Sequence, residues 1–559
     1  MRSARDRSST LVSGGVLALI LFVAIGLVGC GDEHSGTQPS MEFVPGTVDV
    51  IPRPADVQVD PQGSVFVFDA QTAVVGGEEE GRGAAALLVE VLQGAFPGRP
   101  GPVDAPRVGS RHNSVLLTTA GADPALGRDG YELEVTPERV ELRALAAPGF
   151  VHGVQTLRQL LPPEVEQPDP PPGIAWSVPS VRIRDVPRFA WRGLMIDTSR
   201  TFLPKPFLLR ELELLALYKV SVLHLHLTDD QGWRLQIDAY PALYQLGSQW
   251  DAQLAPNEVS GYYTKDDVRE IVARASALGI DVLPEIEMPG HIDAALHAMP
   301  DLACRTAPDQ PRTADEFPII PWSQRELSDD VLCVCDERVY TVMKAVLDEV
   351  IELFPGPFVH VGGDEVMHLD QWEAGYLCQD LIARGVVPSA DHLQAYFEHR
   401  IETYLRSRGR RLLAWDEAFA VEHPELANER LSSAAGFQFW RDFFPVPAGL
   451  YEHDIVATPY TRLYFDLPTA IGRVYGFDPA PDSLDPESAA HVLGAEAAMW
   501  TGAPTARSEV TVEQHIFPRL LALAELAWTA QDLRDPDDFT QRLESQQRRL
   551  EYLGVALGP

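Results

Sequence analysis

The chain has 559 residues, too many for one simple hydrophobic core, so two domains with additional terminal segments are expected. Its formal net charge of -36 and its isoelectric point near 4.7 argue against a nucleic-acid partner, because phosphate backbones select for basic surfaces. The acidic surface otherwise indicates solubility and gives no information about a substrate.

Residues 1–30 are predicted to be a targeting segment. Three arginines among the first seven residues precede an apolar run over residues 16–28, as in a secretory signal peptide. The run is too short to span a membrane comfortably. It leads into a Leu-Val-Gly-Cys sequence ending at Cys30, which resembles the lipobox of bacterial lipoproteins and implies a lipid-bearing Cys30. An uncleaved anchor or an ordinary signal peptide is the alternative.

Residues 31–46, rich in Ser, Gly, Pro and charged side chains, are predicted to be a flexible tether. We therefore expect a mature protein that is attached to a membrane by its lipid and faces an extracytoplasmic space, the bacterial periplasm or cell surface. The sequence leaves open which membrane leaflet holds the lipid and what oligomeric state the protein adopts.

Four further cysteines are Cys304, Cys333, Cys335 and Cys378. In an oxidising compartment, a disulfide between Cys304 and either Cys333 or Cys335 would close the long loop between them. A metal site is the weaker alternative, because the paired spacing of zinc sites and an accompanying histidine cluster are missing from the sequence. Neither a metal nor any other cofactor is expected.

Residues 47–185 are predicted to form a small α+β domain. Alternating apolar residues indicate short strands, and helical spacing indicates two helices. The predicted strands include Ser64–Phe68, Ser114–Leu117 and Tyr131–Val135, and the predicted helices are Gly83–Phe96 and Gly149–Leu161. No group of chemically reactive residues stands out, so the expected role of this domain is structural.

Residues 186–530 alternate β-type runs with helices or loops, the pattern of a (β/α)8 TIM barrel. Eight strands are predicted, at Leu194–Asp197, Val220–Leu227, Asp281–Ile286, Phe358–Val361, Arg411–Trp415, Gly436–Trp440, Asp454–Thr458 and Val492–Ala497. Clear helices are predicted at Pro206–Lys219, Lys265–Leu278, Glu337–Leu353 and His392–Arg408. The helices between strands five and eight are weaker, and residues 531–559 are expected to be a helical extension.

Polar and aromatic residues follow the predicted strands. Catalytic groups of such barrels lie at the carboxyl ends of the strands, so these side chains are expected to meet in one cleft. Stacking surfaces beside hydrogen-bonding groups suit a pyranose sugar. The residues are Arg200, Asp229, His291, Asp364, Glu365, Trp415, Trp440, Tyr464, Asp466 and Trp500.

The fourth strand continues into Gly362, Gly363, Asp364 and Glu365. Two glycines let the backbone turn sharply and approach a ligand. Neighbouring carboxylates repel, so at least one of them should have a raised pKa, as a general acid near neutral pH requires. The alternative is a strand end whose acids cap the next helix.

Four motifs together resemble glycoside hydrolase family 20, the β-N-acetylhexosaminidases. The resemblance covers the whole predicted barrel, and the small domain is similar to the one that precedes the barrel in this family. The motifs are Arg192-Gly193-x3-Asp197-x2-Arg200, His226–Gln231, Pro284–His291 and Gly362–Glu365, with Phe517-Pro518-Arg519 further along the chain.

The resemblance implies an exo-acting enzyme that hydrolyses terminal non-reducing β-linked N-acetylglucosamine or N-acetylgalactosamine with retention. The 2-acetamido oxygen of the substrate is then the nucleophile. Glu365 resembles the general acid/base, and Asp364 the residue that orients the acetamido group. The negative charge of Asp364 would keep Glu365 protonated. His291 and Asp229 resemble the pair that backs the acid.

The same resemblance assigns the sugar contacts. Arg200 resembles the arginine that binds the 3- and 4-hydroxyls, and Asp466 the acid that contacts the 4- and 6-hydroxyls. Tyr464 resembles the donor to the acetamido carbonyl. The aromatic pocket around the acetamido methyl and the sugar ring is represented by Trp415, Trp440 and Trp500.

One position departs from the family pattern. Many members have a glutamate after the Trp-Thr pair, where this chain has Gly502. The missing charged acceptor is worth about 1.5–3 kcal/mol if desolvated. We expect altered tolerance at the non-reducing end of the sugar, either for a different epimer or for a longer chain.

Two other functions are consistent with parts of this sequence. A non-catalytic lectin could bind amino sugars on the same fold, although intact Asp364 and Glu365 argue against it. A glycosidase with two protein carboxylates would cleave plain glucosides, which the aromatic pocket and Tyr464 do not favour. The natural glycan, whether from chitin, peptidoglycan or a host, is left open.

Overall fold

The computed structural model describes residues 43–95, 113–249, 260–320, 330–366, 369–420, 430–444, 446 and 449–559. The predicted signal peptide with Cys30, and most of the predicted tether, lie outside these residues. Within the last residues of the predicted tether, a short strand (β1) at Val44–Pro45 pairs with Gln58 and Val59 of the small domain. Among the described residues, no helix has the length and apolar character needed to cross a bilayer.

The small domain is built on a seven-stranded mixed sheet with the order β1-β2-β9-β6-β7-β5-β4, beside a separate pair formed by β3 and β8. Its strands β2 to β9 are Asp56–Val59, Val65–Val67, Ala73–Gly76, Ser114–Thr118, Tyr131–Val135, Arg139–Ala144, Ser177–Pro179 and Val181–Asp185. Helices α1 (Glu79–Ala95) and α2 (Ala147–Leu160) pack on each other. Nearly all of α2 is buried, because it contacts the sheet on one side and the barrel on the other.

Eight parallel strands close into a barrel in sequence order, as predicted. They are β10 (Trp191–Asp197), β11 (Val222–His226), β14 (Asp281–Glu285), β15 (Phe358–His360), β16 (Arg411–Trp415), β17 (Gly436–Phe439), β18 (Asp454–Ala457) and β19 (Val492–Met499), with a small hairpin of β12 (Thr228–Asp229) and β13 (Gly232–Trp233) between the second and third. The largest boundary difference is at β10, which begins at Trp191 and not at Leu194.

Helices surround the barrel, and the irregular part lies where the sequence signal is weak. The helices α3 to α10 are Lys205–Leu217, Ala242–Leu246, Lys265–Ala277, Asp293–Ala298, Glu337–Leu353, Asp370–Ala374, Tyr376–Ala383 and Leu393–Ser407. Between β16 and β19 the described helices are short: α11 (Asp416–Ala420), α12 (Tyr460–Leu463), α13 (Ile471–Tyr475) and α14 (Pro486–Ala490). The chain ends with α15 (Glu509–Ile516), α16 (Arg519–Trp528) and α17 (Pro536–Tyr552).

Asp185, at the end of β9, joins the small domain to the barrel. Its fully buried carboxylate accepts hydrogen bonds from Tyr131 Oη at 2.7 Å and from Trp528 Nε1 at 2.8 Å. It also pairs with Lys219 Nζ at 2.8 Å, which compensates the buried charge. Because Lys219 and Trp528 belong to the barrel, this cluster fixes the domain against it.

Two disulfides fasten the segments that follow β14. Cys304 is paired with Cys333, one of the two predicted partners, and Cys335 is paired with Cys378 of α9. The first disulfide closes the long loop before α7, and the second ties the start of α7 to α9. The first lies within the connection before β15, and the second joins that connection to the one after β15, which begins with the candidate catalytic carboxylates.

Candidate active site

The backbone after β15 turns sharply and presents Asp364 and Glu365. Gly362 and Gly363 have φ values of 69° and 88°, and Glu365 itself has a φ of 51°. A side chain at Gly362 would collide with the carboxylate of Glu287, so glycine is required there for steric as well as conformational reasons. A non-glycine residue with positive φ is uncommon, and such conformations concentrate at functional sites.

His291, in the loop after β14, lies between the two carboxylates. Its Nε2 atom is 3.6 Å from Asp364 Oδ2 and 3.4 Å from Glu365 Oε2. On its other side, Nδ1 is 3.6 Å from Asp229 Oδ1 and 3.4 Å from Asp230 Oδ2. The histidine is therefore held by the predicted partner Asp229 and also by Asp230, which the sequence motif contained but did not distinguish.

Asp229 connects His291 with Arg200, the predicted sugar-binding arginine. Its Oδ2 atom is 2.6 Å from Arg200 Nη2 and 2.9 Å from His226 Nε2. Arg200 lies 4.8 Å from the centroid of the Trp500 ring, a cation–π distance. One buried carboxylate thus orients two cationic groups of the candidate site.

The electrostatics of the pair agree with the predicted raised pKa, and the affected group is Asp364. Burial, reinforced by the neighbouring charge of Glu365, raises the pKa of Asp364 to about 7. Burial alone would lower the pKa of His291, but the carboxylates of Asp229 and Asp364 outweigh it and hold that pKa well above its ordinary value. A protonated His291 therefore lies between two carboxyl groups, and one of them, Asp364, keeps a proton up to near-neutral pH.

The predicted aromatic residues form a continuous group. The rings of Trp440 and Tyr464 stack with centroids 5.9 Å apart, and Tyr464 lies 6.1 Å from Trp500. Trp415 is 5.9 Å from Trp500 and almost fully buried, with its Nε1 donating to Glu285 at 2.8 Å. All four predicted aromatic residues therefore belong to one wall of the site.

The open space above these groups is a cleft of about 520 Å³. It is lined by Arg200, Asp364, Glu365, Trp440, Phe443, Tyr460, Tyr464, Asp466, Leu467, Trp500, Gly502 and Ala503. This volume lies within the ordinary range for small-molecule sites. Asp229, His291 and Trp415 lie behind the lining, and burial raises the pKa of Asp466 at its edge to about 7.

Sequence reasoning did not single out three residues of this region. Phe443 and Tyr460 contribute aromatic surface to the rim, and their position just after strands was the available signal. Glu417 accepts a hydrogen bond from Trp440 Nε1 at 2.9 Å, and burial raises its pKa to about 8. Glu417 therefore holds the predicted Trp440 in place.

Paired carboxylates in a sugar-sized cleft at the carboxyl end of a (β/α)8 barrel define a glycoside hydrolase. The glycosyl hydrolase family 20 catalytic domain matches residues 189–531, and domain 2 of the same family matches residues 47–186. The chain belongs to glycosyl hydrolase family 20 and is a hydrolase of the β-N-acetylhexosaminidase type.

Similar proteins carry the corresponding names. A beta-hexosaminidase of Porphyromonas gingivalis is 34% identical over 547 residues, which cover 95% of this chain and 66% of that protein. A beta-N-acetylhexosaminidase of Cellulomonas fimi is 33% identical, covering 89% of this chain and 93% of that protein. A mutant Streptomyces plicatus beta-hexosaminidase in complex with GlcNAc superposes with a TM-score of 0.75 at 30% identity, covering 91% of this chain and 96% of that one.

We predict that Asp364→Asn stabilises the protein increasingly as pH rises. The folded-state pKa of Asp364 is raised from 3.8 to about 7, so its stabilising contribution is complete below pH 3.8 and is lost as pH rises through 7. Asparagine mimics the protonated form and loses nothing. At about 1.4 kcal/mol per pKa unit, the difference in unfolding free energy should widen by at most about 4 kcal/mol between pH 4 and pH 8.

Denaturant unfolding of both proteins across this pH range measures the difference. As a control, Asp482→Asn makes the same chemical change at an exposed position, and the pH-dependent change in the difference should be larger for Asp364→Asn. A pH-independent difference for Asp364→Asn would contradict the raised pKa.

Proposed function

We propose that this protein is an exo-acting β-N-acetylhexosaminidase that uses retaining, substrate-assisted catalysis on terminal non-reducing GlcNAc or GalNAc. The observation that carries the proposal is the contact of His291 Nε2 with both Asp364 and Glu365, at 3.6 and 3.4 Å, beneath an aromatic-walled cleft. One imidazolium facing two adjacent carboxyl groups supports different tasks for the two acids.

In the first step Glu365 gives its proton to the glycosidic oxygen while the acetamido oxygen attacks C1. The bond from C1 to the leaving oxygen breaks, and a cyclic oxazolinium ion forms on the sugar. The side chain of Glu365 is 33% exposed, which leaves it accessible to the leaving group. In the second step Glu365 removes a proton from water, the water oxygen attacks C1, and the acetamido group is restored.

Asp364 stabilises the intermediate by its charge. Its side chain is only 12% exposed, so a positive charge forming on the acetamido group beside it is poorly screened by water. In its ionised form Asp364 accepts the acetamido N–H, which fixes the carbonyl oxygen toward C1. Substrate binding thus favours the ionised form of Asp364, while Glu365 carries the proton that it donates to the leaving oxygen.

The membrane attachment is a further part of this proposal. The basic, apolar and Gly-Cys pattern that ends at Cys30 supports a lipid-anchored, extracytoplasmic enzyme, and the paired cysteines are compatible with an oxidising compartment. The natural substrate is then a glycan or glycoconjugate that carries a terminal N-acetylhexosamine and meets the enzyme outside the cytoplasm.

We predict that the soluble form without residues 1–30 hydrolyses a chromogenic β-N-acetylglucosaminide and not the matching β-glucoside. The glucoside has no acetamido nucleophile, so its hydrolysis would require a mechanism that uses two protein carboxylates. Glu365→Gln should lower kcat/KM by about 100-fold or more, because the proton donor is lost. NMR of the first product should show the β-anomer.

Three results would contradict this mechanism. Equal cleavage of both glycosides would favour two protein carboxylates, and an α-anomeric first product would exclude retention. Binding of N-acetylglucosamine by a wild-type protein that cleaves neither substrate would favour the lectin alternative.

We predict that Gly502→Glu changes the ratio of activities on gluco- and galacto-configured substrates. Gly502 lines the cleft together with Arg200 and Asp466, so a carboxylate there would add an acceptor near the 4- and 6-hydroxyls. The expected change is about tenfold or more in the ratio of kcat/KM values. Gly472→Glu, at a glycine with open space around it, is the matched control. An unchanged ratio would show that Gly502 does not set specificity.

We predict that the full-length protein incorporates a labelled fatty acid when expressed in bacteria, and that Cys30→Ala abolishes the label. The variant should lose its association with the membrane fraction if cleavage still occurs. Fatty-acid labelling that persists in Cys30→Ala would contradict lipidation at this residue.

A further inference from the structure

Below the cleft, a buried carboxylate that the proposed chemistry does not use contacts four side chains. Glu285, the last residue of β14, has no exposed surface. Its oxygens lie 2.5 Å from His226 Nδ1, 2.7 Å from His360 Nδ1 and 2.8 Å from Trp415 Nε1. His224 Nε2 is 3.2 Å away.

Two routes lead from Glu285 to the candidate site. On the first, His226 contacts Asp229 at 2.9 Å, Asp229 contacts His291 at 3.6 Å, and His291 contacts Glu365 at 3.4 Å. On the second, the indole N–H of Trp415 donates directly to Glu285. Glu285 is therefore shared by the group that backs the acid and the aromatic wall.

We propose that Glu285 is a positioning residue that aligns the acid/base residue with the aromatic wall. It acts on the acid/base residue through His226, Asp229 and His291, and on the aromatic wall through Trp415. This inference rests on the proposed function. A buried carboxylate is tolerated only while its partners satisfy it, so the partners are in turn fixed by the carboxylate. Outer residues of this kind hold reacting groups in their productive geometry.

The same barrel contains a matched carboxylate without these routes. Glu496 is also fully buried, and it contacts His224 Nδ1 at 2.8 Å, Trp191 Nε1 at 2.8 Å and Gln438 Nε2 at 2.9 Å. Among the described residues, these three partners lie outside the cleft lining. Glu496→Gln is thus a matched control for Glu285→Gln. It makes the same chemical change at an equally buried residue, and both glutamates contact His224.

The titratable groups near Glu285 come from several strands and loops. His226 and Glu285 form an oppositely charged pair, because the carboxylates around His226 raise its pKa to about 10 in spite of burial. The groups that face Glu285 or the acid pair are His224, His226, Asp229, Asp230, Glu287, His291, His360, Asp364 and Glu417.

The experiment compares kcat, KM and the pH profile of kcat/KM for wild type, Glu285→Gln and Glu496→Gln on the chromogenic β-N-acetylglucosaminide. Glu285→Gln should lower kcat about tenfold or more. It removes a negative charge that helps raise the pKa of Asp364, so Asp364 should ionise more easily. The acidic limb of the pH profile, which reports ionised Asp364, should therefore move to lower pH by roughly half a unit. Glu496→Gln should leave that limb in place.

His226→Gln and Trp415→Phe test the two routes with Glu285 present. His226→Gln removes a positive charge that lowers the pKa of Asp364, so the acidic limb should move to higher pH, opposite to the shift in Glu285→Gln. Trp415→Phe removes the donor to Glu285 together with part of the aromatic surface, without changing any charge, and should raise KM or lower kcat without moving the limb. These variants also decide the matter if Glu285→Gln does not fold.

Equal losses of activity in Glu285→Gln and Glu496→Gln with unchanged pH profiles would overturn the proposal, since both changes would then act only on the fold. Unchanged pH profiles of kcat/KM in both Glu285→Gln and His226→Gln would overturn the proposal too. A stoichiometric metal in the purified protein, held by His224, Glu285 and His360, would also overturn it. A wild-type protein without activity would instead refute the proposed function.

Discussion

The candidate site depends on keeping several carboxylates close together in a nearly dry space. An unpaired buried charge is very costly, so each carboxylate requires a cation, a hydrogen-bond donor or a proton. Asp229 is paired with Arg200 and His226, whereas Asp364 has His291 at 3.6 Å and a pKa raised to about 7. Incomplete compensation at Asp364 is what leaves a proton available near neutral pH.

The register of the parallel barrel places these partners side by side. Asp197 on β10 pairs with His226 on β11, His226 pairs with Glu285 on β14, and Glu285 pairs with His360 on β15. The four residues therefore form one layer of the barrel immediately below the cleft. A shift of one residue in any of these strands would turn the side chain away from the layer, so closure of the barrel and assembly of the site are one structural event.

The sequence predicted this frame well because its signals are local. Each barrel strand is an apolar run, and each long helix between the first five barrel strands has a regular apolar spacing, so the positions of these elements were found within three residues. The short helices between β16 and β19 were less predictable, since a helix of four or five residues has too few turns to show a period. The partner of Cys304 also remained open, because Cys333 and Cys335 are too close in sequence for spacing to separate them.

The sequence predicted which residues belong to the site, but not which of their side chains contact one another. Motifs gave Asp229, His291, Asp364 and Glu365, while the contacts of His291 with Asp230 and of Trp415 with Glu285 depend on distances between strands. The sequence signal that indicates such contacts is the presence of charged residues inside buried strands, as at His226 and Glu285. These positions are unfavourable for the fold alone, so they point to interactions that only the assembled barrel supplies.

Asp466, which lines the cleft, is another carboxylate whose burial raises its pKa. Burial raises the pKa of Asp466 to about 7, and the cleft there is completed by Gly502 and not by a second acid. A carboxylate at Gly502 would raise the pKa of Asp466 further by repulsion and favour its protonated form. Without it, Asp466 is ionised in a larger fraction of molecules, which under the proposed function makes it a better acceptor for sugar hydroxyls. In that proposal the glycine affects the non-reducing end in two ways, because it offers no acceptor of its own and leaves Asp466 more available as one.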